Sequence, residues 1–438
     1  MDLARRSLLK ISGGALAAAG AANAAAAQSL PAPPPSAAPR TADWARVRSQ
    51  FALLPDRVDM SAMLIAAHPK PVREAIERHR RGLDEQPIEY LEQHNRRLQN
   101  AARERVGAYM GLGAGDVALT DSTTMGAALV YNGLHLRPGQ EVLTTNQDYY
   151  VTHESLRLAS QRTGARVRRI SLFDDLAAVS PDQLAATIAG AIGPSTRVVA
   201  LTWVHSSTGL KLPLAKIAER VRAINAGRAE GDRVLICVDG VHGFGNQDTG
   251  FAELGCDFFF AGCHKWLFGP RGTGVVLGSK AGWAAMSPTI PTFLDASAYS
   301  NWISGQAPSE CTGARMTPGG FKAFEHLWAL GDAFWLHDWV GRAQVAQRTA
   351  ELAEQMKAGL AAMPHVTLIT PRSPQLSAGI VSFDVAGLGA AAAVARLREW
   401  GVLGSVAPYA RPHVRLTPSI RNTPQEVDFA LSAVRALA

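Results

Sequence analysis

From Val117 onward the chain alternates short apolar runs with amphipathic stretches of helical period, and that rhythm leaves few folds open. Val117–Thr120 reads as a strand and Thr123–His135 as a helix. Glu141–Thr144 is the next strand, followed by a helix over Thr152–Arg162. Further strands are expected at Arg166–Ile170, Arg197–Val204, Arg233–Val238, Asp257–Phe260 and Gly274–Leu277, with helices near Pro181–Ala191 and Leu214–Asn225. Strands spaced by helices in this way predict an α/β fold, a mostly parallel sheet covered on both faces. From about Gly320 a long helical pattern runs through Met356. A strand–helix–strand tail follows, at Gly379–Asp384, Ala390–Trp400 and Val414–Thr417. The expected domains are a large one over 43–319, whose first residues pack on the other, and a smaller α+β domain over 320–438.

Composition narrows the function classes. Of 438 residues, 47% are hydrophobic and 18% charged, the balance of a folded enzyme and not of a disordered chain. Part of the net charge of +7 sits at the extreme N terminus, where Arg5, Arg6 and Lys10 oppose only Asp2. The remaining basic residues scatter along helices, so the charge favours anionic ligands and gives no nucleic-acid footprint. The four cysteines form no Cys-x-x-Cys pair, and a zinc site at Cys256, Cys263 and His264 lacks a fourth ligand at familiar spacing. No metal is expected. Gly111-Leu112-Gly113-Ala114-Gly115 precedes its strand instead of following it, the wrong geometry for a nucleotide phosphate.

The N terminus reads as an address. Arg5-Arg6-Ser7-Leu8-Leu9-Lys10 and the Ala/Gly-rich stretch to Ala27 resemble a twin-arginine signal, with small residues for cleavage before Gln28 or after Ala24. Residues 1–27 are therefore expected to be a signal peptide, with the Pro/Ala-rich 28–42 a linker. That route carries folded proteins, which suits an enzyme loaded with a cofactor before export to the periplasm. No other stretch has the ~18–20 continuous apolar residues of a membrane span, so no stable membrane insertion is expected.

Parallel sheets deliver reactive groups at the C-terminal ends of their strands. Asp121-Ser122-Thr123-Thr124 opens a helix and can cradle a phosphate or simply cap it. Tyr149 can stack on a flat ring or be an ordinary loop tyrosine. Ser206, in Val204-His205-Ser206-Ser207-Thr208-Gly209, can donate to a cofactor oxygen or shape the turn. Asp239 ends an apolar strand, where a carboxylate needs a partner; a pyridinium nitrogen is a good one, and His242 can reach the ring hydroxyl. Lys265 follows Phe258-Phe259-Phe260 closely, so desolvation favours its neutral, imine-forming state.

Asp239-x-x-His242 followed by Cys263-His264-Lys265-Trp266 resembles the class V aminotransferase family of fold-type I pyridoxal-phosphate enzymes, from about Met60 to the C terminus. That family includes isopenicillin N epimerase-like proteins, kynureninases and cysteine desulfurases. The resemblance implies a seven-stranded, mostly parallel sheet between helices, a smaller C-terminal domain and a homodimer. It implies pyridoxal 5'-phosphate bound by Thr123, Thr124, Tyr149, Ser206, Asp239, His242 and His264, with Lys265 as Schiff-base lysine and general base. It places Arg415, in Val414-Arg415-Leu416-Thr417-Pro418, on the substrate carboxylate. Three departures stand out. No cysteine follows Cys311, which argues against persulfide chemistry. Ala314 stands where relatives carry a Thr that reaches the partner's phosphate, which weakens that contact or shifts it to Thr312. Gly404-Ser405-Val406 lacks an arginine found in several relatives, for which Arg411 is a candidate substitute.

The expected activity is transamination or epimerisation of an amino acid or an amino-acid-containing metabolite. The alternatives are a kynureninase-type lyase or hydrolase, and a cofactor-binding relative without turnover. Expected partners are the small amine substrate and the twin-arginine export machinery.

Overall fold

The computed structural model describes residues 42–438. The signal segment and all but the last residue of the linker lie outside the described residues. Thirteen strands are present among them: β1 (Val58–Asp59), β2 (Val117–Thr120), β3 (Glu141–Thr145), β4 (Arg166–Ile170), β5 (Thr196–Thr202), β6 (Leu235–Asp239), β7 (Phe258–Gly262), β8 (Gly274–Gly278), β9 (Val366–Leu368), β10 (Val381–Val385), β11 (Val402–Leu403), β12 (Ser405–Val406) and β13 (Val414–Leu416).

Seven of them form one sheet in the order β2-β8-β7-β6-β5-β3-β4. Only β8 runs against its neighbours. Every residue of β2, β3, β6, β7 and β8 is buried, as strands covered on both faces must be. The outer strand β4 is different. Its Arg166, Arg168 and Arg169 put charge on the open edge, where a further strand would otherwise pair. Helix Thr123–Gly133 crosses β7 and β8 so closely that a Cβ on Gly126 would meet the Phe260 side chain at 2.9 Å.

The C-terminal part carries an antiparallel sheet, β12-β13-β10-β9, and its own hydrophobic core. Met60 belongs to that core, and β1 pairs in parallel with β11. Arg48 forks onto Glu426 at 2.6 and 2.9 Å, and Arg421 lies 3.0 Å from Asp59. Residues 44–60 are thus fastened to the last sixty of the chain. The helix Pro424–Arg435 begins with a reciprocal Thr423–Glu426 capping box, so one glutamate serves both the cap and the strap.

Most predicted elements agree with the structure to within two or three residues at their ends. The long helical pattern after Gly320 does not. It is three helices, Phe324–Trp328, Leu330–Val340 and Arg342–Ala361, separated at Ala329 and Gly341. Gly341 has φ +92°, outside the helical region, and the apolar period runs through both breaks without marking them.

Candidate active site

The strand ends line up. Along the sheet, β7 leads to Lys265, β6 ends on Asp239, β5 leads to Ser206 and β3 leads to Tyr149. Lys265 and Tyr149 therefore bound a row of four strands, with Asp239 and Ser206 between them. At about 4.8 Å per strand the row spans roughly 14 Å, enough for a small aromatic ring and a substrate beside it.

Asp239 is only 3% exposed. One carboxylate oxygen accepts the Val241 N–H at 3.1 Å, and the other has no donor among the described residues. Burial pushes its carboxyl up to about 6, against the opposing pull of the Val241 N–H and Lys265. Lys265 shows the mirror effect. Burial presses its amine down to about 8, Asp239 resists and Arg415 adds to the fall. The fall brings the neutral amine within reach near neutral pH.

His242 is buried beside them, and burial holds it well below the ordinary imidazole range. The Trp266 indole N–H donates to its Nδ1 at 3.4 Å. The neutral ring therefore carries its proton on Nε2, which lies 3.5 Å from Lys265 Nζ. Nε2–H is thus a donor directed at the space next to the amine.

The anion cradle lies across β8. The Ser122 hydroxyl accepts the Met125 N–H at 3.1 Å, which leaves the Thr123 and Thr124 N–H groups without helical partners. The Thr123 hydroxyl accepts the Gly262 N–H at 2.8 Å and so ties the helix start to the end of β7. A Cβ on Gly262 would come within 3.0–3.2 Å of both the His264 ring and that hydroxyl. Glycine here lets the imidazole close on the cradle. Burial lowers His264 to about 4, so the ring is a neutral donor.

Arg415 is 2% exposed and has no carboxylate partner among the described residues. Its Nε donates to Ser405 Oγ at 3.1 Å, Nη1 to the Ser206 carbonyl at 2.8 Å and Nη2 to the Val406 carbonyl at 2.9 Å. One N–H on each terminal nitrogen remains for a further acceptor, and an anionic oxygen suits it. Ser206 reaches across to the small sheet. Its hydroxyl meets the Tyr409 hydroxyl at 2.8 Å and its carbonyl holds Arg415, so its polar groups join the two sheets. The Tyr149 ring leans on Tyr409, with centroids 5.7 Å apart and planes at 53°. Arg411 does not join the group; it is exposed and faces Asp384 at 3.7 Å. Thr312 caps the short helix Gly313–Met316 through the Arg315 N–H.

Two residues of the site carried no functional reading from sequence. Asp148 is buried and accepts from the Thr144 hydroxyl, the Thr145 hydroxyl and the Thr145 N–H, each at 2.8 Å, and from the Thr202 N–H at 2.6 Å. It locks the end of β3 to the end of β5. Its sequence signal, two threonines followed by an aspartate, is that of any polar loop. Tyr409 sits in a Pro-rich hairpin whose sequence looks like surface.

Pyridoxal phosphate fits these residues. The unpaired Asp239 oxygen suits a protonated ring nitrogen, the cradle suits a phosphate, and Lys265 suits the aldehyde carbon. The profile of the class V aminotransferases matches residues 66–405. The chain belongs to the class V aminotransferase family. That family is pyridoxal-phosphate-dependent. Among its relatives, isopenicillin N epimerase of Streptomyces clavuligerus is 27% identical over 407 residues, covering 90% of this chain and 98% of that one. A probable cysteine desulfurase of Mycolicibacterium paratuberculosis (strain ATCC BAA-968 / K-10) is 28% identical over 360 residues, 77% of this chain and 48% of that one. The fold is shared with the cystine C-S lyase C-DES in complex with cysteine persulfide (TM-score 0.77, 24% identity, 88% and 99% covered). It is shared also with the cysteine desulfurase CsdA of Escherichia coli (TM-score 0.76, 22% identity, 91% and 99% covered). Tyr409 and Arg415 lie beyond the matched residues, so their place in the site rests on geometry.

Proposed function

We propose that this class V enzyme acts on the amino group of an amino acid or an amino-acid-containing metabolite, by epimerisation or transamination. The observation that carries the reading is a buried guanidinium with one N–H left on each terminal nitrogen, within electrostatic reach of a lysine whose amine is partly neutral. Bound there, the cofactor supplies an electron sink for charge released at the substrate Cα. The chain's own residues do the rest. Arg415 holds the carboxylate and fixes which Cα bond is presented, Lys265 takes the Cα proton, and Asp239 keeps the ring nitrogen protonated. His242 Nε2–H donates to the ring oxygen, and the Thr123–His264 cradle anchors the phosphate.

Formation of a persulfide on the protein itself needs a reactive thiol, and none of the four cysteines is in position for it. Cys237, Cys256 and Cys263 are buried, and burial pushes the half-buried Cys311 up to about 11. The proposal includes export in the folded state to the periplasm, supported by Arg5-Arg6-Ser7-Leu8-Leu9-Lys10. It also includes a homodimer. Helix Ala296–Ser304 buries none of its residues, and its Tyr299, Trp302 and Ile303 are 58%, 73% and 66% exposed, a surface suited to a second copy.

Purified protein offered a panel of amino acids and keto acids, with products followed by mass spectrometry and chiral chromatography, tests the reading. An inverted amino acid or an amino-to-keto exchange is expected. Cysteine converted to alanine with sulfur left on the protein, and no other product, contradicts it.

A further inference from the structure

Lys265 and His242 stand at the β7–β6 end of the row of strand ends. At the other end, beyond Ser206, stands a second group able to carry a proton, and no step above uses it. Tyr409 lies on the hairpin between β12 and β13, which reaches over from the small sheet. Its hydroxyl meets Ser206 Oγ at 2.8 Å, and its ring rests on Tyr149. Arg415 is held by the carbonyl of the same Ser206. Tyr409 and Arg415 thus converge on Ser206, two strands along the row from the end that carries Lys265.

We infer that Tyr409 is the second proton-handling residue and that it directs the reaction to epimerisation. This rests on the amino-acid reading proposed above and narrows it to one outcome. Inversion requires that a proton leave Cα on one side and arrive on the other. The Lys265 amine accepts the Cα proton and becomes ammonium. The Tyr409 O–H gives its proton to the opposite side of Cα and becomes phenolate. The Ser206 hydroxyl returns a proton to the phenolate across their 2.8 Å contact and regains one from solvent, to which Lys265 releases its own. No electrons are gained or lost, and no co-reactant is needed.

The surroundings suit the donor half of this cycle. Burial holds the phenol above its ordinary range and favours the O–H form that donates to Cα, while the reverse inversion runs through the minor form with Tyr409 as phenolate and Lys265 as ammonium. The Arg415 guanidinium opposes that shift and steadies the phenolate when it forms.

The test uses the cofactor-loaded enzyme and L- and D-alanine, the smallest chiral amino acid, chosen so that side-chain fit does not decide the result. In D2O the wild type should place deuterium on Cα of both enantiomers and interconvert them. Tyr409→Phe should keep deuterium wash-in, with retention, for the enantiomer whose Cα–H faces Lys265. It should lose interconversion by about 100-fold or more. The retained wash-in shows that the variant is folded and loaded. A second readout does not depend on turnover. In protein carrying [ζ-13C]tyrosine, the resonance missing from Tyr409→Phe should shift when alanine saturates the site. Interconversion that survives unchanged in Tyr409→Phe, or a Tyr409 resonance that ignores the ligand, overturns the role of Tyr409. A wild type that inverts neither enantiomer overturns epimerisation itself, a different result from the first.

Discussion

Replacing Lys265 with alanine is expected to remove the yellow absorbance of the lysine-linked cofactor and to lower turnover by roughly 10⁴-fold or more. The size follows from two losses at one atom. The amine is the covalent tether and also the base at Cα, and no other lysine amine is found in the row of strand ends that could replace it. The protein should still fold. Lys265 is half-buried, its hydrogen-bond partner is His242, and removing a desolvated amine relieves strain on the site as much as it creates any. Absorbance spectra and steady-state rates on the purified variant check this. A variant that keeps the full colour contradicts the assignment of the tether, whatever its rate.

Arg415→Lys is expected to lower kcat/KM for a carboxylate-bearing amine by about 10²–10³-fold, while a substrate lacking the carboxylate changes little. Lysine keeps the positive charge but cannot make the present contacts. The guanidinium donates at once to Ser405, Ser206 and Val406 and still has one N–H left on each terminal nitrogen. An ammonium has three donors in all, so either the anchoring bonds or the substrate bonds are lost. Breaking a buried, hydrogen-bonded charge pair costs about 2–5 kcal/mol, which sets the range. Comparing the two substrate types separates a lost carboxylate contact from general damage, because damage to the fold lowers both rates together.

The reactive core of the site was legible in sequence because parallel sheets obey a rule that sequence can express. An apolar strand followed by a polar residue places that residue at the sheet's C-terminal edge. Asp239 after Leu235–Val238 and Lys265 after Phe258–Gly262 are both cases of it. What sequence did not yield depends on contacts between distant segments. Tyr409 matters because its hairpin meets Ser206 some two hundred residues away, and Pro408 and Arg411 around it read as exposed loop. Asp148 matters because it accepts from both β3 and β5, which no local pattern reveals. The strands β1 and β11 are two residues each and exist only as a pair across more than three hundred residues. The break at Gly341 was hidden because the apolar period continues across it and a single glycine does not by itself end a helix.

Ser206 makes contacts that its local sequence does not reveal. It stands at a strand end inside the site, as the loop after β5 suggested. Yet its hydroxyl and carbonyl serve Tyr409 and Arg415. The residue thereby links the end of β5 to the β12–β13 hairpin and to Arg415.

Sodium borohydride reduction of the purified enzyme, followed by proteolysis and mass spectrometric peptide mapping, tests the whole account most directly. The account predicts a single reduced pyridoxyl tag on the peptide carrying Cys263-His264-Lys265-Trp266, at the lysine. A tag on any other lysine, or no tag on protein that has been supplied with the cofactor, contradicts it.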